Sequence, residues 1–179
     1  MFARTQRLLL RPGFPEDAPQ LARTIADAQI VRNLAKVPWP YELDDAKSHL
    51  DRMANASLPH CLVYERTDGA PDLVGACGLH ELPSGGVEMG YWIARKAWGR
   101  GIATEAGRAL LDMARMLRIE TIHAGHFVDN PASGRVLEKL GFRPTGLTVP
   151  RYSCGRGREV DTHMMALDLG DADVVPIAA

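Results

Sequence analysis

The stretch WGRGIATEA, residues 98–106, places two glycines around an arginine, directly before a segment with helical apolar spacing. Glycine has no Cβ, so the backbone at Gly99 and Gly101 can come close to a ligand. The first turn of a helix carries unpaired N–H groups and the positive end of the helix dipole. The loop at 98–104 therefore predicts a phosphate site to which Arg100 adds charge. The alternative is a tight strand-to-helix turn with no ligand.

Two further stretches carry side chains suited to acid–base chemistry. Glu88 lies in the apolar segment VEMGYWI, residues 87–93, and a carboxylate removed from water becomes a stronger base. Asn130 and Ser133 lie in DNPASGRVLEKLGF, residues 129–142, where Asn130 precedes a proline and fits a helix N-cap. Each stretch also has a purely structural interpretation, as a solvated strand carboxylate and as a capped helix.

The elements that would position these residues follow from the apolar periodicity. Strands are predicted at 7–11, 60–67, 73–80, 87–94, 121–128, 144–149 and 159–169, and helices at 15–30, 43–55, 102–117 and 131–140. Short turns join the three strands between 60 and 94, which predicts antiparallel pairing. Because no linker or repeat occurs, residues 1–170 are predicted to form one α+β domain, and residues 171–179 a flexible tail.

The composition argues against several classes of function. Hydrophobic residues make up 46% of the 179 residues, which is enough for a buried core, and the net charge of −1 lacks the basic excess of a nucleic-acid binder. Cys61, Cys77 and Cys154 show neither CxxC nor metal-ligand spacing, which predicts reduced thiols in the cytoplasm and no metal site. No apolar run reaches the roughly 18 residues of a membrane span, so no membrane partner is expected.

The segment YWIARKAWGRGIATEA, residues 91–106, resembles the signature of the GNAT superfamily of acetyl-CoA-dependent N-acetyltransferases, Gln/Arg-x-x-Gly-x-Gly/Ala. Trp98 stands at the first position, Gly101 at the fourth and Ala103 at the sixth. Trp98 departs from the general pattern, but WGxGxATEA is similar to the branch that includes the ribosomal-protein alanine acetyltransferases of RimJ/RimL type. The stretches TQRLLLRP, VEMGYWI, DNPASGRVLEKLGF and GREVDTHMMAL fit that branch, and the resemblance covers about residues 3–168.

This resemblance implies a GNAT fold with a mixed, mostly antiparallel sheet, and acetyl-CoA as co-substrate for direct acetyl transfer to a primary amine. It implies that the backbone of 98–104 holds the pyrophosphate. The pantetheine arm would pair with the strand at 91–93, where this strand and that at 121–128 splay apart. The implied cofactor-binding residues are Tyr91, Trp92, Ile93, Trp98, Gly99, Arg100, Gly101, Ile102, Ala103, Thr104, Asn130 and Ser133.

The catalytic residues that the resemblance implies are Glu88, Ser133 and Asn130. Glu88 is the leading candidate for the general base, directly or through water, or it only orients the amine. Ser133 would protonate the departing thiolate, with Tyr152 as the alternative acid, and Asn130 would contact the pantetheine or the substrate. Among the strand histidines, His126 is the alternative base; the others that flank the cleft are His80 and His123.

The acceptor amine is either a protein N-terminus or a small molecule, and the sequence leaves that choice open. The family tends to build acceptor specificity at the loop at 37–41, and the aromatic residues that could line the pocket are Trp39, Tyr41, Trp92 and Trp98. A homodimer is expected. Two other functions stay open: a catalytically silent CoA-binding module and a dinucleotide-binding oxidoreductase, although the loop lacks the third glycine of GxGxxG.

Overall fold

In a computed structural model that describes residues 1–83 and 85–170, an eight-stranded sheet carries helices on both faces. The tail predicted at 171–179 lies outside the described residues. The strands are β1 (Ala3–Arg4), β2 (Leu8–Arg11), β3 (His60–Glu65), β4 (Asp72–Glu81), β5 (Val87–Ile93), β6 (Thr121–Phe127), β7 (Arg143–Ser153) and β8 (Arg158–Asp168). The helices are α1 (Ala18–Ile25), α2 (Ala28–Val31), α3 (Leu43–Ala54), α4 (Ile102–Met116) and α5 (Pro131–Lys139).

The sheet is mixed and mostly antiparallel, as the sequence resemblance implied. Its strand order is β1-β2-β3-β4-β5-β6-β8-β7, and among the described strands only the neighbours β5 and β6 run parallel. They are parallel because α4 carries the chain back along one face between them, as a crossover connection must. The α+β fold class is therefore confirmed.

Two details differ from the elements predicted at the N-terminus. Seven strands were predicted, and the additional one is β1, Ala3–Arg4. It is too short to show any alternation, and it pairs with Leu9 and Leu10. The helix predicted at 15–30 is divided, because the Asp27 side chain accepts a hydrogen bond from the Gln29 N–H and starts a new helix there. An internal aspartate can cap as well as continue a helix, so its role is decided by the packing around it.

Alternation along β5 assigns its side chains to two separate apolar layers. Met89 and Ile93 pack in the layer formed with α4 and α5, and Trp92 packs in the layer formed with α1 and α3. The predicted grouping of odd and even residues on this strand is therefore confirmed. Glu88 shares its face with Trp92, so its carboxylate lies on the α3 side of the sheet.

The sheet opens between β5 and β6. The two strands pair only at Val87 with Ile122 and at Glu88 with His123. Beyond that point β5 stays paired with β4 as far as Ile93, and β6 stays paired with β8 as far as Phe127. The expected splaying of these two strands is confirmed, and it leaves a backbone edge of β5 facing a gap that an extended ligand can enter.

Candidate active site

The glycine loop presents a row of free amides at the start of α4. The backbone N–H groups of residues 99–104 have no acceptor among the described residues, and the first bond of the helix runs from the Glu105 N–H to Gly101 O at 3.0 Å. Gly99 and Gly101 have φ values of 72° and 78°, which side chains disfavour. Consecutive free amides at a helix N-terminus form a site for an anion such as a phosphate.

Side chains around the loop fix its shape. Arg100 donates to both carboxylate oxygens of Glu65, at 3.0 and 2.5 Å, so its charge is already paired. Its own carbonyl accepts from Arg7 at 2.9 Å. The Trp98 indole N–H donates to Ile93 O at 2.7 Å, which ties the loop to the end of β5. Arg100 is thus placed to contribute its backbone N–H, while its guanidinium anchors the loop.

A cavity of about 850 Å³ joins this loop to the opposite face of the sheet through the gap between β5 and β6. Apart from Arg100, every implied cofactor-binding residue lines it. These are Tyr91, Trp92, Ile93, Trp98, Gly99, Gly101, Ile102, Ala103, Thr104, Asn130 and Ser133. On the far side the cavity is bounded by α3 and by the loop at 33–38, and Glu88 lies on that side. A long ligand and a second molecule can therefore meet at the gap.

Glu88 lies in the cavity wall beside one cation. Its side chain is 15% exposed, and Arg151 Nη1 lies 2.6 Å from its Oε1. The contact lacks hydrogen-bond alignment, so this buried oxygen has no hydrogen-bond partner among the described residues. The guanidinium compensates the charge of the carboxylate, and the lone pairs that remain can accept an incoming N–H group. Arg151 comes from β7 and gave no signal in the sequence.

Ser133 lies at the other side of the gap, in the first turn of α5. The Asn130 side chain caps this helix by accepting from the Ser133 N–H at 3.3 Å, as its position before a proline predicted. The Ser133 hydroxyl lies 2.8 Å from the Tyr91 hydroxyl. Burial raises the pKa of Tyr91 to about 12, so this phenol stays protonated at neutral pH. The pair Tyr91–Ser133 can supply a proton at the gap.

The other candidates fall into two groups. Tyr41, Trp92, Trp98, His80 and His126 line the cavity. Trp39, His123 and Tyr152 are not among its lining residues, and Tyr152 is 58% exposed on β7. Two further histidines, His49 and His60, line the cavity on the α3 side, and sequence reasoning did not select them. Their only signal was that each lies on the inward side of an amphipathic element.

The buried thiols are not in a reactive state. Cys61 and Cys77 are free and lie directly opposite each other in β3 and β4. Burial raises the pKa of Cys61 to about 11, and it raises the pKa of Cys77 further. A protonated thiol is a poor nucleophile. In residues 1–83 and 85–170 no group of three His, Cys, Asp or Glu side chains could hold a metal ion.

The site consists of the free amides at 99–104, the gap between β5 and β6, and the cavity that passes through it. The family that the sequence matches has a corresponding activity. Residues 7–143 match the acetyltransferase (GNAT) domain. The chain belongs to the GNAT acetyltransferase family. The family resemblance of the loop at 98–104 is therefore confirmed, and the protein is an N-acetyltransferase.

Relatives of this acetyltransferase extend over nearly its whole length. It is 28% identical to the uncharacterized N-acetyltransferase p20 of Bacillus licheniformis over 171 residues, covering 91% of this chain and 93% of the relative. It is 26% identical to the L-amino acid N-acetyltransferase AaaT of Escherichia coli, over 89% of this chain and 96% of the relative. Its fold matches that of RimL, the ribosomal L7/L12 alpha-N-protein acetyltransferase, which was solved in complex with coenzyme A. The TM-score is 0.79 at 19% identity, and the match covers 97% of this chain and 100% of RimL.

Within the described residues, no helix of this GNAT protein is both long and apolar enough to cross a bilayer.

Proposed function

We propose that this enzyme transfers the acetyl group of acetyl-CoA directly to a primary amine. The observation that carries the proposal is the row of six amides from Gly99 to Thr104, which have no acceptor among the described residues and begin the wall of the cavity. A pyrophosphate offers several acceptor oxygens at the spacing of consecutive amides. The RimL structure, which has the same fold, is a complex with coenzyme A.

The gap between β5 and β6 suits the remainder of this co-substrate. The edge of β5 beyond Glu88 is unpaired on the β6 side, so its backbone groups can bond an amide-containing arm such as pantetheine. Tyr91, Trp92 and Ile93 line that edge of the cavity. A thioester at the end of the arm would lie between Ser133 on one side and Glu88 on the other.

The chain has groups for each proton that the reaction moves. The nitrogen of the acceptor bonds to the acetyl carbon, the carbon–sulfur bond breaks, and the thiolate takes up a proton. We propose that Ser133, hydrogen-bonded to Tyr91, gives that proton. We propose that Glu88 receives the amine end of the acceptor, either taking its proton or orienting it, and that Asn130 contacts the arm as well as capping α5.

The acceptor belongs to one of two chemical classes. AaaT is by its name an L-amino acid acetyltransferase, and RimL acts on the N-terminus of a protein. In both classes the primary amine is on the α-carbon, which also bears a carbonyl or carboxylate group. From the family resemblance and the composition we further propose that residues 1–170 form one domain and that the enzyme is a cytoplasmic homodimer.

The function is tested by ligand-dependent melting and an acceptor screen. Acetyl-CoA and CoA at about 100 times their Kd should add roughly 2.7 kcal/mol to the free energy of unfolding, whereas NAD and ATP should add nothing. Free thiol should then appear with at least one acceptor from a panel of L-amino acids and of peptides with Ala or Ser N-termini. Stabilisation by CoA without transfer to any acceptor would favour the silent binding module. Stabilisation by NAD alone would favour the oxidoreductase.

Replacing Ser133 by alanine is expected to slow transfer by at least tenfold, because the departing thiolate loses its proton donor. Tyr152→Phe is the matched control, since its hydroxyl is outside the cavity and should not affect the rate. Both rates are measured by thiol release at saturating acetyl-CoA. A slow Tyr152→Phe variant beside a normal Ser133→Ala variant would assign the acid to Tyr152 instead.

A further inference from the structure

Two histidines lie across the floor of the cavity on its α3 side. His60 Nε2 and His80 Nδ1 are 2.7 Å apart, in a hydrogen bond between β3 and β4. The His60 ring lies over Gly78, where a Cβ would collide with it, and His80 Nε2 lies 3.4 Å from the position of a Cβ at Gly90. Both rings line the cavity, so the two glycines make room for them there.

The hydrogen bonds of this pair define where each proton resides. His60 Nδ1 lies 3.2 Å from the carbonyl oxygen of Leu58, which can only accept, so Nδ1 must carry the proton. The Nε2 of a neutral His60 then has a lone pair, and His80 Nδ1 must donate to it. His80 in turn has its own lone pair on Nε2, above Gly90 and within the cavity.

The surroundings keep this arrangement neutral. Burial, together with the nearby His60, Lys36 and His49, lowers the pKa of His80 to about 4. Burial also lowers the pKa of His60. Glu88 lies directly opposite His80 in the β4–β5 pairing, with Arg151 beside it. At neutral pH His80 therefore offers a lone pair on Nε2. This atom lies above Gly90, two residues after Glu88 on β5.

We propose that His80 takes the proton that leaves the acceptor nitrogen as the amide bond forms, and that His60 positions it in the tautomer this requires. This rests on the proposed acetyl transfer. The ammonium form of the acceptor loses one proton to solvent before its nitrogen attacks. Once bonded to the acetyl carbon, the nitrogen is positively charged and more acidic than a free ammonium, and its second proton goes to the His80 lone pair and from there to solvent. The thiolate takes its proton from Ser133, which regains one from solvent, so the reaction releases one proton in all. Glu88 then orients the amine.

His126, the base alternative from the sequence, is less suitable by the same reasoning. Its Nδ1 lies 3.0 Å from Phe127 O, so its lone pair is also on Nε2. That atom, however, lies against Gly134 in α5, only 2.8 Å from where a Cβ would be. His126 is therefore on the α5 side of the gap, with Ser133, while His80 is on the side of Glu88.

The tautomers can be read without any acceptor, by ¹⁵N–¹H NMR of histidine-labelled protein at pH 7. We expect both His60 and His80 to be neutral and protonated on Nδ1. In the variant His60→Leu, which has no acceptor for the His80 proton, His80 should lose this preference, and in His60→Gln, whose amide oxygen can accept, it should keep it. Protonation of His80 on Nε2 in the unmodified protein would overturn the proposal.

The rate test uses the amino acid or peptide with the fastest transfer in the acceptor screen. His80→Ala should slow transfer by about 100-fold or more, and added imidazole should restore part of the rate. His60→Leu should slow transfer, and His60→Gln should restore it. Stabilisation by CoA should be unchanged in all three variants, which separates loss of chemistry from loss of the fold.

The outcomes distinguish failure of this inference from failure of the proposed acetyl transfer on which it rests. An unmodified enzyme that binds CoA but acetylates nothing in the panel would remove both the function and the inference. Normal transfer by His80→Ala in an active enzyme would overturn the inference alone. If His126→Ala lost transfer while His80→Ala kept the normal rate, the role of proton acceptor would belong to His126.

Discussion

Replacing Gly101 by valine is expected to raise the Kd for acetyl-CoA on the order of 100-fold. The residue has a φ of 78° at the N-terminus of α4, in a left-handed conformation that costs a side chain roughly 1–2 kcal/mol and a β-branched one more. Valine would relieve this strain by turning the backbone, and the free amides would no longer converge. Each charge-assisted bond lost is worth about 1.5–3 kcal/mol, and two losses at the lower end of that range give the stated factor.

Gly146→Val is the matched control for this effect. Gly146 has a φ of 83° in β7, and no atom of the described residues lies within 4 Å of the position that its Cβ would take. It is not among the residues that line the cavity. Both variants should lose a similar free energy of unfolding, measured in denaturant without ligand. Only Gly101→Val should lose stabilisation by CoA. Equal CoA binding by both variants would mean that the loop is a turn and that its amides hold no phosphate.

The loop could be predicted from the sequence because its chemistry is local. A strand, two glycines and an apolar helical segment lie within sixteen residues, and the free amides follow from the start of a helix wherever it packs. The alternation along β5 is local too, so Glu88 and Trp92 were correctly placed on one face. The Asn130 cap follows from its position before a proline in the same way.

Contacts between distant segments carried no comparable signal. Arg100 was expected to add charge to the phosphate site, yet Glu65, 35 positions away in sequence, pairs with its guanidinium. Arg151 reaches Glu88 from β7, and His60 meets His80 across a strand register that no residue pattern prescribes. Such pairs depend on how strands align, which is decided by packing of the whole sheet. The catalytic partners of a predicted residue therefore require the fold.

Replacing Glu88 by glutamine is expected to lower kcat/KM for the acceptor by at least 100-fold while leaving the Kd for acetyl-CoA unchanged. Glutamine keeps the shape and one acceptor oxygen beside Arg151, but it removes the negative charge that an ammonium group would meet in the cavity. The proposed anion site at Gly101 lies at the other end of the cavity, so it should be unaffected. Melting with and without CoA, and initial rates over a range of acceptor concentrations, measure the two effects.

Glu65→Gln is the matched control, because the Glu65 side chain is 17% exposed, compared with 15% for Glu88, and it also pairs with an arginine. Glu65 holds Arg100 in the loop but is not among the residues that line the cavity, so the acceptor KM, measured at saturating acetyl-CoA, should not change. The way in which Glu88→Gln loses activity then assigns the proton. A higher acceptor KM with kcat retained means that Glu88 orients the amine and His80 accepts its proton. A lower kcat with KM retained means that Glu88 is itself the base. Full activity would exclude both roles for Glu88, because no charge at this position would then be needed.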